Sequence, residues 1–206
     1  NNAIVKAIGR QRTSQGGGGG GVENPTGVQV FSHQKAADRM LRDPVYIDDA
    51  IPKFTFLTAD KQLFFNDEAI DLWYHPNAHS DGDVLLYFRK SDVIVAGDLL
   101  HTDTYPIFDT AWDGGLQGML DGLNHVVDIA VPRFNQMDGT RIIPGHGRLC
   151  TESDIAELRD MATIVRDRID HMISKKMTLD QVKAARPTID YDPVYATEAL
   201  PGDKFV

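Results

Sequence analysis

The stretch from His75 to Asp98 constrains the fold of this chain more than any other. It opens with a polar segment, His-Pro-Asn-Ala-His-Ser-Asp-Gly-Asp, and continues into two short apolar runs, Val84 to Phe88 and Val93 to Ala96. The polar link between the runs has the length of a hairpin loop. Because an antiparallel hairpin brings the start of its first strand beside the end of its second, we predict that His79 and Asp98 emerge at the same edge of a sheet.

A helix and a third strand are predicted after the hairpin. Apolar residues recur at helical spacing from Leu116 to Ala130, and the run Arg141 to Ile143 then leads into Pro144-Gly145-His146-Gly147. Strand, helix, strand is the crossover that makes neighbouring strands parallel, and active sites collect at the carboxyl ends of such strands. Asp98 and His146 both lie at that end. Two imidazoles and a carboxylate are therefore expected to converge, and this ligand set suits zinc or a similar divalent ion.

Three motifs in this region resemble a known family. They are His79-Ser-Asp-Gly-Asp, Ala96-Gly97-Asp98 and Ile143-Pro144-Gly145-His146-Gly147, and they are similar to the last three metal-binding motifs of the metallo-β-lactamase-fold hydrolases. Two C-terminal segments, which begin at Arg159 and Val182, resemble one large bacterial branch of that superfamily. In order and spacing, the resemblance covers residues 22–206.

The resemblance implies both a fold and an activity. The fold would be α/β, the αββα sandwich of the metallo-β-lactamases with a reduced N-terminal half, as a single domain over residues 1–206. The activity would be hydrolysis of an ester, lactam, thioester or related bond in a small-molecule substrate. In such hydrolases one or two zinc ions, or iron or manganese in their place, activate the attacking hydroxide. The implied metal ligands are His79, Asp98 and His146, with Asp98 between two ions and with Asp98 and His146 as the catalytic residues.

Other residues near the motifs have weaker assignments. His101, Tyr105 and Asp81 are candidates to contact the substrate or to support the ligands, and a surface role fits His101 and Tyr105 equally well. Asp81 and Asp83 are also expected to tie the loop after His79 through backbone hydrogen bonds. Structural or surface roles are expected for the remaining histidines, which are His33, His75, His125 and His171. Cys150 is not expected to act as a nucleophile.

The strongest motif of the superfamily, His-x-His-x-Asp-His, does not occur in this sequence. Its expected place, just upstream of Val22, is taken by an unbroken run of glycines, Gly16 to Gly21. We interpret this run as a flexible linker, because each glycine loses the most backbone entropy on ordering and no helix with a Lys-Ser/Thr pair follows to make a phosphate loop. The missing motif supplies ligands to both metals, so we expect weak or partial metal binding and low activity.

Two other readings of the chain stay open. It could be a non-catalytic scaffold or binding protein that keeps the fold without a metal centre. It could also be a module that binds one metal ion through His79, Asp98 and His146 alone. The glycine run in the place of ligands favours the scaffold, whereas the retention of all three later ligand positions favours a hydrolase.

Composition excludes some partners. The formal net charge of -9, with no basic block to offset it, argues against nucleic acid. No apolar run approaches the ~20 residues that a membrane span needs. Neither a cytoplasmic nor a secreted mature form is excluded, because the first residues lack the apolar core of a signal peptide and a mature secreted protein would lack one too. A sheet without its early strands would expose its edges, which predicts a homo-oligomer or poor solubility of the monomer.

The remaining pattern predicts the flanking elements. Helices are expected over Asn2 to Ile8, from a Ser32 cap through Arg42, after a Thr151–Asp154 capping box, and from Thr178 with Gln181 to a point before Pro187. Strands are expected over Val28 to Phe31, Phe54 to Leu57, Leu63 to Phe65 and Ala69 to Tyr74.

Overall fold

The computed structural model describes residues 30–46, 50–130 and 139–206. It divides into two compact units, Asn1–Thr58 and Ala59–Val206, each of which is described by itself. The helix expected over residues 2–8, the glycine run and the start of the first predicted strand lie outside the described residues. A single domain over the whole chain stays a prediction.

The described part of the first unit is a strand, a helix and a second strand. β1 (Phe31–His33) runs parallel to β2 (Phe54–Phe56), and α1 (Gln34–Arg42) follows β1 directly. The side chain of His33 caps this helix, since its Nδ1 accepts a hydrogen bond from the backbone N–H of Lys35 at 3.4 Å. The helix therefore begins one residue later than predicted.

The second unit is built on a five-stranded mixed sheet with the order β3-β4-β5-β6-β7. The strands are β3 (Asp60–Phe65), β4 (Glu68–His75), β5 (Asp83–Phe88), β6 (Val93–His101) and β7 (Arg141–His146). Neighbours from β3 to β6 are antiparallel, whereas β6 and β7 are parallel. Both the predicted hairpin and the parallel crossover after it are confirmed.

Two long helices cover this sheet. α2 (Leu116–Ile129) makes the crossover from β6 to β7 and packs against α3 (Glu152–Ser174). The predicted capping box of α3 is confirmed, with the Asp154 carboxylate accepting a hydrogen bond from the backbone N–H of Thr151 at 2.8 Å. Three short helices complete the unit: α4 (Leu179–Ala184), α5 (Asp192–Tyr195) and α6 (Gly202–Phe205). Among the described residues, no helix has the length and apolarity to cross a bilayer.

The core of this unit lies between the sheet and the two long helices. Leu85 and Ile94 of the hairpin, Leu123 and Val126 of α2, and Ile155 of α3 have no exposed surface. Burial of one such aliphatic side chain stabilises a fold by about 1.5–3 kcal/mol. This core therefore fixes the two strands, β6 and β7, whose carboxyl ends carry the candidate site residues.

The edge strand β3 keeps large apolar side chains on the surface. Phe64 and Phe65 are 75% and 73% exposed, and within the described part of the chain β3 has a sheet neighbour on one side only. Self-association through this edge stays a prediction.

A pair of histidines joins the end of β4 to α2. The Nε2 atom of His75 and the Nδ1 atom of His125 are 3.0 Å apart, so one of the two rings must be neutral and accept the hydrogen bond. Burial, together with the neighbouring His125, lowers the pKa of His75 to about 4, and burial also lowers the pKa of His125. Both rings are structural, in line with the expectation for them.

We expect this pair to weaken the fold in mild acid. The pKa of His75 is about 4 in the folded protein against 6.5 for an ordinary histidine, so between these values the unfolded chain binds more protons. The contribution of His75 to stability is therefore fully present well above pH 6.5 and is lost as the pH falls from 6.5 to 4. The His75 shift sets an upper bound of roughly 3 kcal/mol on the loss, which its partial exposure reduces to about 1–2 kcal/mol.

Urea unfolding at a series of pH values measures this loss. A His75→Gln variant should lose less than half as much stability between neutral and acidic pH as the wild type. His171→Gln, a change at an exposed position of α3, is the matched control and should keep the wild-type pH dependence. An unchanged pH dependence in His75→Gln would show that other groups are responsible.

Candidate metal centre

Asp98, His101 and His146 converge at the carboxyl ends of β6 and β7. One possible ligand atom from each lies within 4.8 Å of those of the other two. Nε2 of His146 is 3.6 Å from Oδ1 of Asp98, and the imidazole rings of His101 and His146 stack with centroids 4.8 Å apart. The structure thus brings together two of the predicted ligands, Asp98 and His146, and adds His101 to them.

Glycines allow the two strand ends to approach each other this closely. A Cβ atom on Gly145 would lie far inside contact distance of the Asp98 carboxylate and 2.8 Å from the backbone of Gly97. A Cβ atom on Gly147, whose φ is +96°, would collide with the hydroxyl of Thr102. Residues with side chains rarely adopt such a φ. The two glycines around His146 are therefore required by the packing of the site.

A β-bulge in β6 accounts for the place of His101. In a regular strand, residues three apart point to opposite faces, which would separate Asp98 from His101. Here Gly97 pairs with Pro144 and His101 pairs with His146, with register shifts in between, so β6 holds extra residues over this interval. The alternation of buried and exposed positions along β6 stops at the same point. The bulge therefore allows both side chains to reach one site.

His101 is deeply buried and incompletely paired. Its exposed fraction is 5%, and Nε2 has no hydrogen-bond partner within the described ranges. Burial, and then the neighbouring His146, lower the pKa of His101 against the opposing effect of Asp98, so the ring is neutral at neutral pH. Neutral imidazole is the form that binds metals. An unpartnered buried polar atom costs about 1–3 kcal/mol, a cost that a ligand from outside the chain would remove.

His79 lies beside this cluster and not within its group of close ligand atoms. Its ring centroid is 6.4 Å from that of His101. Its Nδ1 lies 2.8 Å from the carbonyl oxygen of Ile107, a hydrogen bond that would leave Nε2 with a lone pair, as in metal-binding histidines. The backbone N–H of Asp109 donates to the carbonyl oxygen of His79 at 2.8 Å. The predicted ligand set of His79, Asp98 and His146 is therefore assembled in part.

Asp83 ties the loop after His79, as expected for this residue. The Asp83 carboxylate accepts hydrogen bonds from the backbone N–H of Ser80 at 2.8 Å and from its hydroxyl at 3.2 Å. At Asp81, the backbone carbonyl accepts a hydrogen bond from the Tyr74 hydroxyl at 2.9 Å. A contact between the Asp81 carboxylate and substrate stays a prediction.

Tyr105 corrects one expectation, because its side chain has no exposed surface. Its hydroxyl donates to Oδ1 of Asp192 at 2.9 Å, and its ring stacks on Phe205 with centroids 4.7 Å apart. A direct substrate contact is therefore wrong for Tyr105, which instead anchors the C-terminal helices. Cys150 is also buried, and this burial raises the pKa of its thiol to about 11, so the thiol is protonated at neutral pH.

The donors present fit a divalent ion of the zinc type. Two imidazoles and one carboxylate are one of the protein ligand sets of catalytic zinc sites, in which a fourth position stays open for water or substrate. The side chains of His146 and Asp98 are 63% and 48% exposed, so the cluster is open to solvent on their side. The buried nitrogen of His101 without a partner is a second feature that a bound ion would explain.

Comparison with known proteins identifies the fold. No protein-family model and no curated protein matches the sequence. A metallo-beta-lactamase from Pontibacter korlensis matches with a TM-score of 0.51 and 17% identity, over 75% of this chain and 61% of that chain. The DIM-1 metallo-beta-lactamase exposed to ceftazidime matches with a TM-score of 0.52 and 13% identity, over 79% of this chain and 62% of that chain. A double mutant of the sec-alkyl sulfatase PisA1 matches with a TM-score of 0.51 and 14% identity, over 65% of this chain and 22% of that chain.

These likenesses show an α/β fold of the metallo-β-lactamase type, as the motifs predicted. Identities of 13–17% show the fold alone. The chain spans less than two thirds of the length of each of these three proteins. Reaction and substrate therefore have to be argued from the residues of the site.

Proposed function

We propose that this chain is a metal-dependent hydrolase of the metallo-β-lactamase type. Its substrate would be a small molecule with an ester, lactam, thioester or related bond. The observation that carries the proposal is the convergence of Asp98, His101 and His146 at the carboxyl ends of two parallel strands. The structural neighbours include metallo-β-lactamases and an alkyl sulfatase, which supports hydrolysis as the reaction class and leaves the bond to be found by assay.

Asp98 and His146 would hold the ion and are the proposed catalytic residues. A zinc-type ion bound there would acidify a water molecule and polarise the bond to be cleaved. Both side chains are substantially exposed, so water and substrate can reach the site from their side. His79 stands next to this pair with its ring fixed by the Ile107 carbonyl, and it would orient the substrate.

A non-catalytic scaffold is the alternative, and one observation favours it. The His-x-His-x-Asp-His motif is absent from the sequence, although it supplies ligands to both metals in the family that the chain resembles. Against the scaffold stands the imidazole of His101, which is buried beside Asp98 and His146 with a nitrogen that no protein group satisfies in the described part of the chain.

Metal content and hydrolysis, measured on the same preparations, test the proposal. Elemental analysis after reloading with zinc should find about one ion per chain, in keeping with three protein ligands. Chelator should remove both the ion and the hydrolysis of a panel that contains a chromogenic β-lactam, a p-nitrophenyl ester, a thioester and a secondary alkyl sulfate. Zinc should restore both.

His146→Ala is expected to lose the ion and to lower turnover at least about 100-fold, because it removes a ligand. His171→Ala, at an exposed position of α3, should behave as the wild type. A folded wild-type protein that takes up no metal, or equal turnover in wild type and His146→Ala, would support the scaffold instead.

A further inference from the structure

We propose that His101 is itself a metal ligand, and that Asp98, His101 and His146 close on one ion without His79. This inference rests on the metal site of the proposed function and not on its hydrolytic activity. It assigns a ligand role to a residue outside the motifs that carry the family resemblance. It also gives the chain a way to hold an ion although the His-x-His-x-Asp-His motif is absent from its sequence.

The distances within the cluster suit a single ion. Zinc–ligand distances of about 2.0–2.2 Å place the ligand atoms of a tetrahedral site about 3.4 Å apart. The pair formed by His146 Nε2 and Asp98 Oδ1, at 3.6 Å, already has this spacing. Since all three ligand atoms lie within 4.8 Å of one another, closing the set on one ion takes movements on the order of 1 Å, within the reach of small side-chain rotations.

His101 is the fixed member of the three. With 5% of its surface exposed, it has little rotamer freedom left to lose when an ion binds, whereas the exposed side chains of Asp98 and His146 can adjust to it. Its strand pairing also points to this role. His101 is the register partner of His146 across β6 and β7, so the backbone itself holds the two imidazoles side by side.

The buried Nε2 of His101 is a separate observation that points to a ligand. A buried imidazole nitrogen normally has a hydrogen-bond partner, and within the described residues this one has none. His79 shows the contrast, because its Nδ1 is paired with the carbonyl oxygen of Ile107. It also stays outside the group of close ligand atoms. The structure thus favours His101 over His79 as the third ligand.

The test is zinc affinity, measured by competition with a chromophoric chelator on the full chain without substrate. His101→Phe removes both ring nitrogens and keeps an aromatic ring in the buried position. It should weaken zinc binding at least about 100-fold, since loss of a supporting partner alone weakens metal binding by 10–100-fold. His79→Phe, the matched change, should alter the affinity for this ion less than about threefold. Loss of the ion in His79→Phe with retention in His101→Phe would overturn the proposal, as would retention in both.

Circular dichroism and thermal unfolding of the metal-free proteins separate loss of a ligand from loss of the fold. Metal-free His101→Phe should be at least as stable as the metal-free wild type, because an unpartnered polar atom has been replaced by an apolar ring. A second measurement does not depend on how His101→Phe folds. X-ray absorption on the zinc-loaded His79→Phe protein should count the same number of imidazole ligands as in the wild type, and a count lower by one would overturn the proposal.

These readouts distinguish the inference from the proposed function. An ion that is bound through His101 in a protein without activity on any substrate would contradict the proposed hydrolase and leave the ligand assignment standing. Hydrolysis that depends on an ion held by His79 would support the proposed hydrolase and contradict the assignment of His101 as a ligand.

Discussion

Gly145→Ala is expected to abolish metal binding, although residue 145 offers no ligand atom. The added Cβ would fall far inside contact distance of Oδ1 of Asp98 and 2.8 Å from the carbonyl group of Gly97. The backbone has little room to yield, since Gly97 pairs with Pro144 between the parallel strands β6 and β7. Relief must come from displacement of Asp98, which breaks the ligand set. We expect zinc affinity to fall at least about 100-fold and stability to fall by about 1–3 kcal/mol.

Chelator competition and urea unfolding measure the two effects, with Gly115→Ala as the control. A Cβ atom on Gly115 would meet its nearest neighbour, the carbonyl oxygen of Asn77, at an ordinary distance of 3.8 Å. Gly115 caps the start of α2, where replacement of glycine by alanine costs within about 1 kcal/mol. Zinc affinity should not change in this variant. Wild-type affinity in Gly145→Ala would mean that the Asp98 carboxylate is no ligand in the position that the structure gives it.

The fold follows from sequence patterns that are local. The hairpin, the crossover helix and the capping box of α3 are each set by periodicity or by side chains within a few residues of one another, and all three are confirmed. Asp98 and His146 could be placed because a parallel crossover brings strand ends to one edge whatever the details of packing. Topology alone predicted these two members of the site.

His101 and Tyr105 could not be placed in this way, for two different reasons. The predicted second strand stopped short of the bulge in β6, and without a bulge the period of two separates His101 from Asp98. The burial of Tyr105 depends on Asp192 and Phe205, which are distant in sequence and carry no local signal of the contact. Positions fixed by irregular strands or by distant segments are those that single-sequence reasoning misses.

Gly118→Ala, near the start of α2, is expected to destabilise the protein although helix propensity predicts the opposite. In an exposed helix, alanine is more favourable than glycine by about 1 kcal/mol. Here the added Cβ would collide with the carbonyl group of Asn77 and lie 2.7 Å from the carbonyl oxygen of Pro76. Both are backbone atoms, so no side-chain rotation relieves the clash. We expect the free energy of unfolding to fall by about 2–4 kcal/mol, measured with urea.

The control is Gln117→Ala, on the same turn of α2. Gln117 is exposed and hydrogen-bonds Asp121 one turn along the helix at 2.9 Å, so its loss should change stability by no more than about 0.5 kcal/mol. Equal stability of Gly118→Ala and the wild type would show that the loop before His79 yields without cost.

The same Gly118→Ala variant separates the loop that carries His79 from the metal site. That loop is held against the start of α2 by backbone contacts, among them the N–H of Gly115 donating to the carbonyl oxygen of Ala78 at 2.8 Å. An alanine at position 118 would displace the backbone of this loop at Asn77 and Pro76. It would not contact β6 or β7, which carry the three proposed ligands. While the variant is folded, its zinc affinity should therefore stay within about threefold of the wild type. A large loss of affinity would place His79, rather than His101, on the ion.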